Sequence, residues 1–94
     1  MQVVGTRVLE AHARSHADVS AALAAWLAIT RAAGWRSLIH VRRIYPAADF
    51  VKPYSVFNVK GNSYRIVTLI EYSLRLVRVC HVMTHSEYDK DKWK

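Results

Sequence analysis

The sequence predicts an α+β domain in which an N-terminal helical hairpin packs on one face of a small antiparallel β-sheet. Apolar residues recur with helical spacing in the first third of the chain. After Pro46 the chain becomes rich in Val, Ile, Tyr and Phe, which favour strands. The 94 residues include only 3 glycines and 2 prolines, too few to mark a linker. We therefore expect residues 1–94 to form a single domain with one modest core.

The N-terminal half predicts a short strand followed by two helices. Residues 1–4 form the strand, and Thr6 is expected to cap the first helix. Asp18 is the expected N-cap of the second helix, because apolar residues follow it with helical period. Gly34 is expected to end that helix in a left-handed conformation. Residues 37–45 are expected to hold one irregular or helical turn.

The C-terminal half predicts a three-stranded antiparallel meander, with residues 1–4 available to add an edge strand. Gly61-Asn62 is a tight-turn dipeptide, and Ser73-Leu74 is the second expected reversal. The three segments rich in β-branched and aromatic residues are residues 54–60, 63–72 and 75–83.

The first turn determines which side chains share a face of the sheet. A two-residue turn at Gly61-Asn62 places Asn58 opposite Arg65. The face that carries Arg65 then comprises Val56, Asn58, Lys60, Ser63, Arg65 and Val67. The opposite face, which we expect to contact the helices, comprises Phe57, Val59, Tyr64, Ile66 and Ile70. A second two-residue turn would add Arg78 and Cys80 to the Arg65 face, which we expect to be basic and uncovered.

The charge balance indicates a polyanionic partner. The chain carries 14 Lys and Arg against 7 Asp and Glu, a formal net charge of +7. No apolar run approaches the roughly 18 residues of a membrane-spanning helix, and the N-terminus lacks a signal-peptide pattern. The single cysteine, Cys80, cannot form an internal disulfide, which suits a reducing compartment. We therefore expect a cytoplasmic protein that does not bind membranes.

Two motifs resemble those of the HigB toxin family. The pattern VFN-x-x-GN-x-Y/L-R lies at residues 56–65, and TH-x-EYD lies at residues 84–89. A Tyr-Pro-x-Ala-Asp segment at residues 45–49 and an Ala-Trp pair in the second helix also fit. The resemblance extends over nearly the whole chain.

The resemblance implies a RelE-like fold and the role of toxin in a type II toxin–antitoxin pair. Toxins of this kind are endoribonucleases, or mRNA interferases, that cut mRNA on the ribosome. The implied partner is a helix-turn-helix antitoxin of the HigA type. We expect metal-independent cleavage, in which the RNA 2′-hydroxyl attacks the adjacent phosphate, and therefore no cofactor and no metal ligands.

Three residues are candidates for the chemistry of such a site. Arg65 offers a planar fork to two phosphate oxygens, although it could instead pair with Glu71 on the surface. Histidine is the residue type best suited to proton transfer at physiological pH, which makes His85 a candidate, although His85 could instead order the turn around it by hydrogen bonds. Tyr88 could supply a hydroxyl, stack on a base or pack against the sheet.

Further residues are expected to contact the RNA. Asn58 faces Arg65 and could orient it, whereas Lys60 could be a phosphate contact or a solvated turn residue. The remaining expected contacts are Arg78, Lys52 and Lys90.

Cys80 departs from the family pattern, which usually carries a basic residue at this position. Arg78 would lie on the same face about 7 Å away, at a strand rise of roughly 3.3 Å per residue. We expect Arg78 to compensate in part, and Cys80→Arg to accelerate cleavage.

Two other functions remain open from the sequence. A non-catalytic relative of the ParE type would inhibit a topoisomerase, and Arg65 with His85 and Tyr88 argues against it. A simple RNA-binding module would bind RNA in a salt-dependent manner and yield no cleavage product.

Overall fold

The computed structural model describes residues 1–90 and 93. A five-stranded sheet, in the order β1-β5-β4-β3-β2, packs against N-terminal helices, which confirms the predicted α+β class. Short 3-10 turns cover Ala17–Val19 and Tyr72–Leu74. The other elements are β1 (Gln2–Val4), α1 (Thr6–Ser15), α2 (Ser20–Ala32), α3 (Leu38–Ile44), β2 (Asp49–Val51), β3 (Tyr54–Val59), β4 (Tyr64–Glu71), β5 (Leu76–Thr84) and α4 (His85–Asp89).

The main core lies between the sheet and the helices, around Phe57. Trp26 of α2 meets the Phe57 ring edge to face at a centroid distance of 5.3 Å. Trp35 stacks on the same ring at 5.8 Å. Val59, Tyr64 and Ile66 are buried in this core with Phe57, as the predicted register requires. Each large apolar side chain buried here contributes roughly 1.5–3 kcal/mol.

The N-terminal strand is confirmed at the sheet edge, where β1 pairs in parallel with β5. The prediction that Thr6 caps α1 is wrong, because Thr6 is the first helical residue and Gly5 occupies the N-cap without a side-chain bond. Gly5 has φ +79, and a Cβ atom there would lie 2.5 Å from the carbonyl oxygen of Val79. The chain therefore enters α1 through a glycine pressed against β5.

The predicted ends of α2 are both wrong. Asp18 lies in the preceding 3-10 turn, and its carboxylate accepts hydrogen bonds from Lys60 and Tyr64 instead of capping the helix. At the other end Ala33 is extended, with φ −78 and ψ 152. Gly34 is not left-handed. The extended exit leads Trp35 into the core. The helical turn expected within residues 37–45 is confirmed as α3.

The hairpin between β3 and β4 has the predicted pairing, with Asn58 opposite Arg65. At the turn, β3 ends one residue earlier and β4 begins one residue later than expected. The reason is that Lys60 and Gly61 both adopt left-handed φ values, of 51 and 63. This conformation turns Lys60 away from the Arg65 face. Its ammonium group pairs with Asp18 at 3.0 Å.

A register shift interrupts the pairing of β4 with β5. The predicted second turn is confirmed in position, with Glu71 opposite Leu76. The shift between Val67 and Thr68 then places Met83 opposite Arg65. Arg78 pairs with Leu69, four positions along β4 from Arg65 and so about 13 Å away at the usual strand rise.

The Arg65 face is covered in part, contrary to the prediction that it is open. Val56, Val67 and Met83 form a second, smaller buried cluster on this face. Partly buried side chains that pack against it are Val51, Tyr54, Tyr88 and Trp93. Strand β2, which was not predicted, borders this face by pairing with β3. Among the described residues, no helix is long and apolar enough to cross a membrane.

Substitution of Gly5 tests the close approach of the chain to β5. Gly5→Ala should destabilise the fold by about 2 kcal/mol or more, because it adds left-handed strain and a backbone clash. Gly34→Ala is the matched control, since nothing lies within 4 Å of the added methyl group. It should change stability by less than about 1 kcal/mol. Chemical denaturation measures both, and equal midpoints would contradict the described packing.

Candidate active site

The guanidinium of Arg65 lies at the centre of the Arg65 face and is nearly buried, with 7% of the residue exposed. Its Nη1 donates to the carbonyl oxygens of Asn62 at 3.0 Å and Tyr64 at 3.3 Å. Its Nη2 donates to Nδ1 of His85 at 2.8 Å. The predicted alternative, a surface pair with Glu71, is not found.

These partners leave the charge of Arg65 without a counterion. No carboxylate of the described residues lies within 4.0 Å of the guanidinium. Of its five N–H donors, three are used, so Nε–H and one Nη2–H have no protein acceptor in this part of the chain. Because buried charges are normally paired, the site is built to receive an anion.

The hydrogen bonds of His85 determine which ring nitrogen carries the proton. A guanidinium only donates, so Nδ1 must present its lone pair to Arg65. The proton of the neutral ring is then on Nε2, which lies 3.1 Å from Oδ2 of Asp89. The His85 side chain is about half exposed, at 52%. This tautomer suits a base that accepts a proton at Nδ1 while Asp89 stabilises the resulting charge.

Helix α4 holds His85 in place through its N-terminal cap. The Thr84 hydroxyl accepts from the Glu87 amide at 3.2 Å, and the Glu87 carboxylate accepts from the Thr84 amide at 2.9 Å. This bond from the Thr84 backbone lowers the pKa of Glu87. The His85 amide also donates to the Ser63 carbonyl at 2.9 Å, which ties the helix to the β3–β4 hairpin.

The ring of Tyr88 is enclosed by two neighbours. Trp93 stacks on it at 5.0 Å with an interplanar angle of 18°. The Arg65 guanidinium carbon lies 5.5 Å from the ring centroid. The stacked indole and the nearby guanidinium both occupy space against this ring, which leaves less room for a stacked nucleobase. Of the roles predicted for Tyr88, the geometry favours the supply of a hydroxyl group and packing against the sheet over stacking on a base.

A cleft of about 350 Å³ opens over these groups. One wall is Tyr88, and Arg65 and Asn58 contribute to the sheet side. The other lining residues are Arg42, Pro46, Ala47, Ala48, Asp49 and Val56. The structure thus brings Arg65, Tyr88 and Asn58 to one cleft. His85 does not line the cleft and joins the site through its hydrogen bond to Arg65.

The other predicted RNA contacts lie outside this cleft. Lys60 pairs with Asp18. Lys52, which follows β2, and Lys90, which follows α4, are both exposed. Arg78 is exposed beside Leu69. Cys80 sits at the register shift, where its thiol approaches the Arg78 carbonyl at 3.8 Å. The face assigned to Lys60 is therefore wrong. Arg78 keeps its predicted face, opposite Leu69. Cys80 loses its predicted place on that face because the register shift pairs His81 with Val67, so the expected gain from Cys80→Arg loses its geometric basis.

Sequence reasoning missed Arg42, Asp49 and Asp89. Asp89 was not singled out because its pairing with His85 depends on the α4 helix. Asp49 stands in the Tyr-Pro-x-Ala-Asp segment, which was the available signal. No sequence motif marks Arg42, because its place in the cleft depends on how α3 packs.

Removal of the α4 cap should loosen the site without unfolding the protein. Thr84→Ala should cost about 1 kcal/mol of helix stability and speed hydrogen exchange at the Glu87 amide several-fold. Ser73→Ala, which removes an exposed hydroxyl from the turn between β4 and β5, is the control and should leave that rate nearly unchanged. Exchange measured by NMR decides the point, and equal rates in the two variants would show that the cap does not hold α4.

Comparison with known proteins assigns the chain to a family. The model of the HigB toxin family, described as the RelE-like toxic component of a toxin–antitoxin system, matches residues 19–91. Similar curated proteins are the mRNA interferase toxin HigB of Escherichia coli K12 and the mRNA interferases HigB of Escherichia coli O157:H7 and Shigella flexneri. Each is 33% identical over 52 residues, which is 52% of this chain and 50% of the relative. The alignments thus span about half the length of these relatives, whereas the family model spans most of the chain, and the protein belongs to the HigB toxin family.

Proposed function

We propose that the protein is the toxin of a type II toxin–antitoxin pair and acts as an endoribonuclease on mRNA. The observation that carries the proposal is the buried guanidinium of Arg65, which has no counterion in the described chain and opens on a cleft beside His85. A phosphodiester is the anion that fits a planar donor fork next to a proton acceptor. The curated relatives bear the name mRNA interferase, which supports the same substrate.

The proposed reaction needs only side chains at or beside the cleft and the RNA itself. Two oxygens of the scissile phosphate bind the remaining donors of Arg65, which weakens the bond from Arg65 to Nδ1 of His85. That nitrogen then takes the proton of the 2′-hydroxyl, and the 2′-oxygen attacks phosphorus. The P–O5′ bond breaks, leaving a 2′,3′-cyclic phosphate and a 5′-hydroxyl.

Two neighbours complete the proton and charge balance. Asp89 stabilises the imidazolium through its bond to Nε2 of His85. The Tyr88 hydroxyl, on the wall of the cleft, protonates the leaving 5′-oxygen. Arg65 neutralises the charge that develops on the phosphate oxygens, which is typically the largest contribution in such sites.

We further propose that the substrate is mRNA on the ribosome and that the partner is a HigA-type helix-turn-helix antitoxin. The ribosome would supply the alignment that a short cleft with few groups lacks. Ribosomal mRNA places this activity in the cytoplasm. The net charge of +7 favours fast association with RNA and with an acidic antitoxin segment.

Variants of Arg65 and His85 test the assignment in a translating cell-free extract. Arg65→Lys keeps a buried charge but loses the fork, and His85→Ala removes the base from a half-exposed position. Each should lower cleavage of a reporter mRNA on the order of 10²-fold, because each removes transition-state stabilisation or proton transfer. Arg31→Ala, an exposed arginine at the end of α2, is the control and should cut normally.

Folding and cleavage are measured separately, by thermal melting and by primer extension on the reporter. Normal cleavage by folded Arg65→Lys and His85→Ala proteins would refute the catalytic assignment. Absence of any product with the wild-type protein, with or without ribosomes, would refute the nuclease and favour one of the non-catalytic functions.

A further inference from the structure

We propose that Asp49 and Arg42 form a recognition site for a guanine base of the nucleotide adjacent to the phosphate on Arg65. The inference rests on the proposed function, since it assigns base selection to the same cleft. Neither residue has a part in the proposed cleavage step, yet both line the cleft with Arg65 and Tyr88. Their side chains offer hydrogen-bond groups that a phosphate clamp does not need.

The strand register separates Asp49 from Arg65 by a distance that one nucleotide can span. Asp49 pairs with Val56, and Arg65 pairs with Asn58, two positions along β3. Two strand spacings of about 4.8 Å and two rises of about 3.3 Å put the two Cα atoms roughly 12 Å apart. Both side chains line the cleft that spans this separation.

The carboxylate of Asp49 is an unexpected group in a cleft that binds a polyanion. It would repel a phosphate, so its natural ligand is a hydrogen-bond donor. Its Oδ1 accepts from the Phe50 amide at 2.8 Å, which orients the group. No lysine, arginine or histidine of the described residues lies within 4.0 Å of it. The other oxygen is thus available to N–H groups of a base.

Arg42 supplies the complementary donors. Its Nε donates to the Ala48 carbonyl at 2.9 Å, which anchors the guanidinium on the wall of the cleft. Its terminal nitrogens have no acceptor among the residues that the structure describes. Arginine pairs with the O6 and N7 acceptors of guanine, and a carboxylate accepts from base N–H groups. Guanine is the base that presents O6 and N7 as acceptors together with N1–H and a 2-amino group as donors, so it satisfies both residues.

The cleft is shaped for a base and for a continuing strand. Pro46 and Ala47 line the cleft with small, apolar side chains, against which a base can pack. A second cleft of about 310 Å³ shares Pro46, Ala47, Ala48 and Asn58 with the first and extends to the Gly61-Asn62 turn. The two form one groove, so RNA held at Asp49 continues past Arg65.

Mapping of cleavage sites tests the site. Wild-type protein should cut next to guanine at least about tenfold faster than next to adenine, the discrimination expected of paired base contacts. Inosine, which lacks the 2-amino group, should be cut more slowly than guanine at the same position. Asp49→Asn and Arg42→Ala should each lower the guanine preference several-fold. Glu10→Gln, an exposed carboxylate of α1, is the matched control and should leave the map unchanged.

Equal cutting at all four bases by the wild-type protein, or an unchanged preference in Asp49→Asn, would overturn the inference while leaving the nuclease intact. A binding experiment decides the case in which no RNA is cut. Guanosine 3′-monophosphate should shift the NMR signal of the Arg42 Nε–H saturably, and adenosine 3′-monophosphate should shift it far less. Indistinguishable shifts with the two nucleotides would overturn the inference independently of cleavage.

Discussion

The buried guanidinium of Arg65 is the interaction on which the rest of the site depends. Removing a cation from water costs several kcal/mol, so the surrounding chain must offset that cost. The β3–β4 hairpin does so with two carbonyl oxygens, and α4 does so with the His85 ring nitrogen and the face of Tyr88. The two segments are themselves joined through the Ser63 carbonyl. Hence the element that holds the charge also positions the proton acceptor next to it.

The parts predicted from the sequence are those governed by local pattern. The alternation of residues in β3 and β4, together with the Gly61-Asn62 turn, was enough to place Phe57 in the core and Asn58 opposite Arg65. The family motifs were enough to bring Arg65, His85 and Tyr88 to one site. Both inferences use short separations along the chain, where turn geometry and side-chain period leave few alternatives.

The predictions that are wrong concern features that depend on contacts between segments distant in the sequence. The register shift in β5 carries no signal of its own, yet it pairs His81 with Val67 and so removes Cys80 from the paired positions of the Arg65 face. The left-handed Lys60 reaches Asp18, 42 positions away, which no periodicity indicates. The covering of the Arg65 face required Tyr88 to fold back over β3 and β5 with α4. The physical rules of pairing hold in each case, but applying them requires knowledge of tertiary contacts between segments that are distant in the sequence.

The tautomer of His85 tests the central claim most directly, because it reports the bond between Arg65 and the candidate base. Long-range proton–nitrogen NMR on the free protein should show the neutral ring protonated at Nε2 and unprotonated at Nδ1, as donation from Arg65 to Nδ1 demands. In Arg65→Lys the ring should lose this fixed preference. A neutral ring protonated at Nδ1 in the wild-type protein would contradict the account.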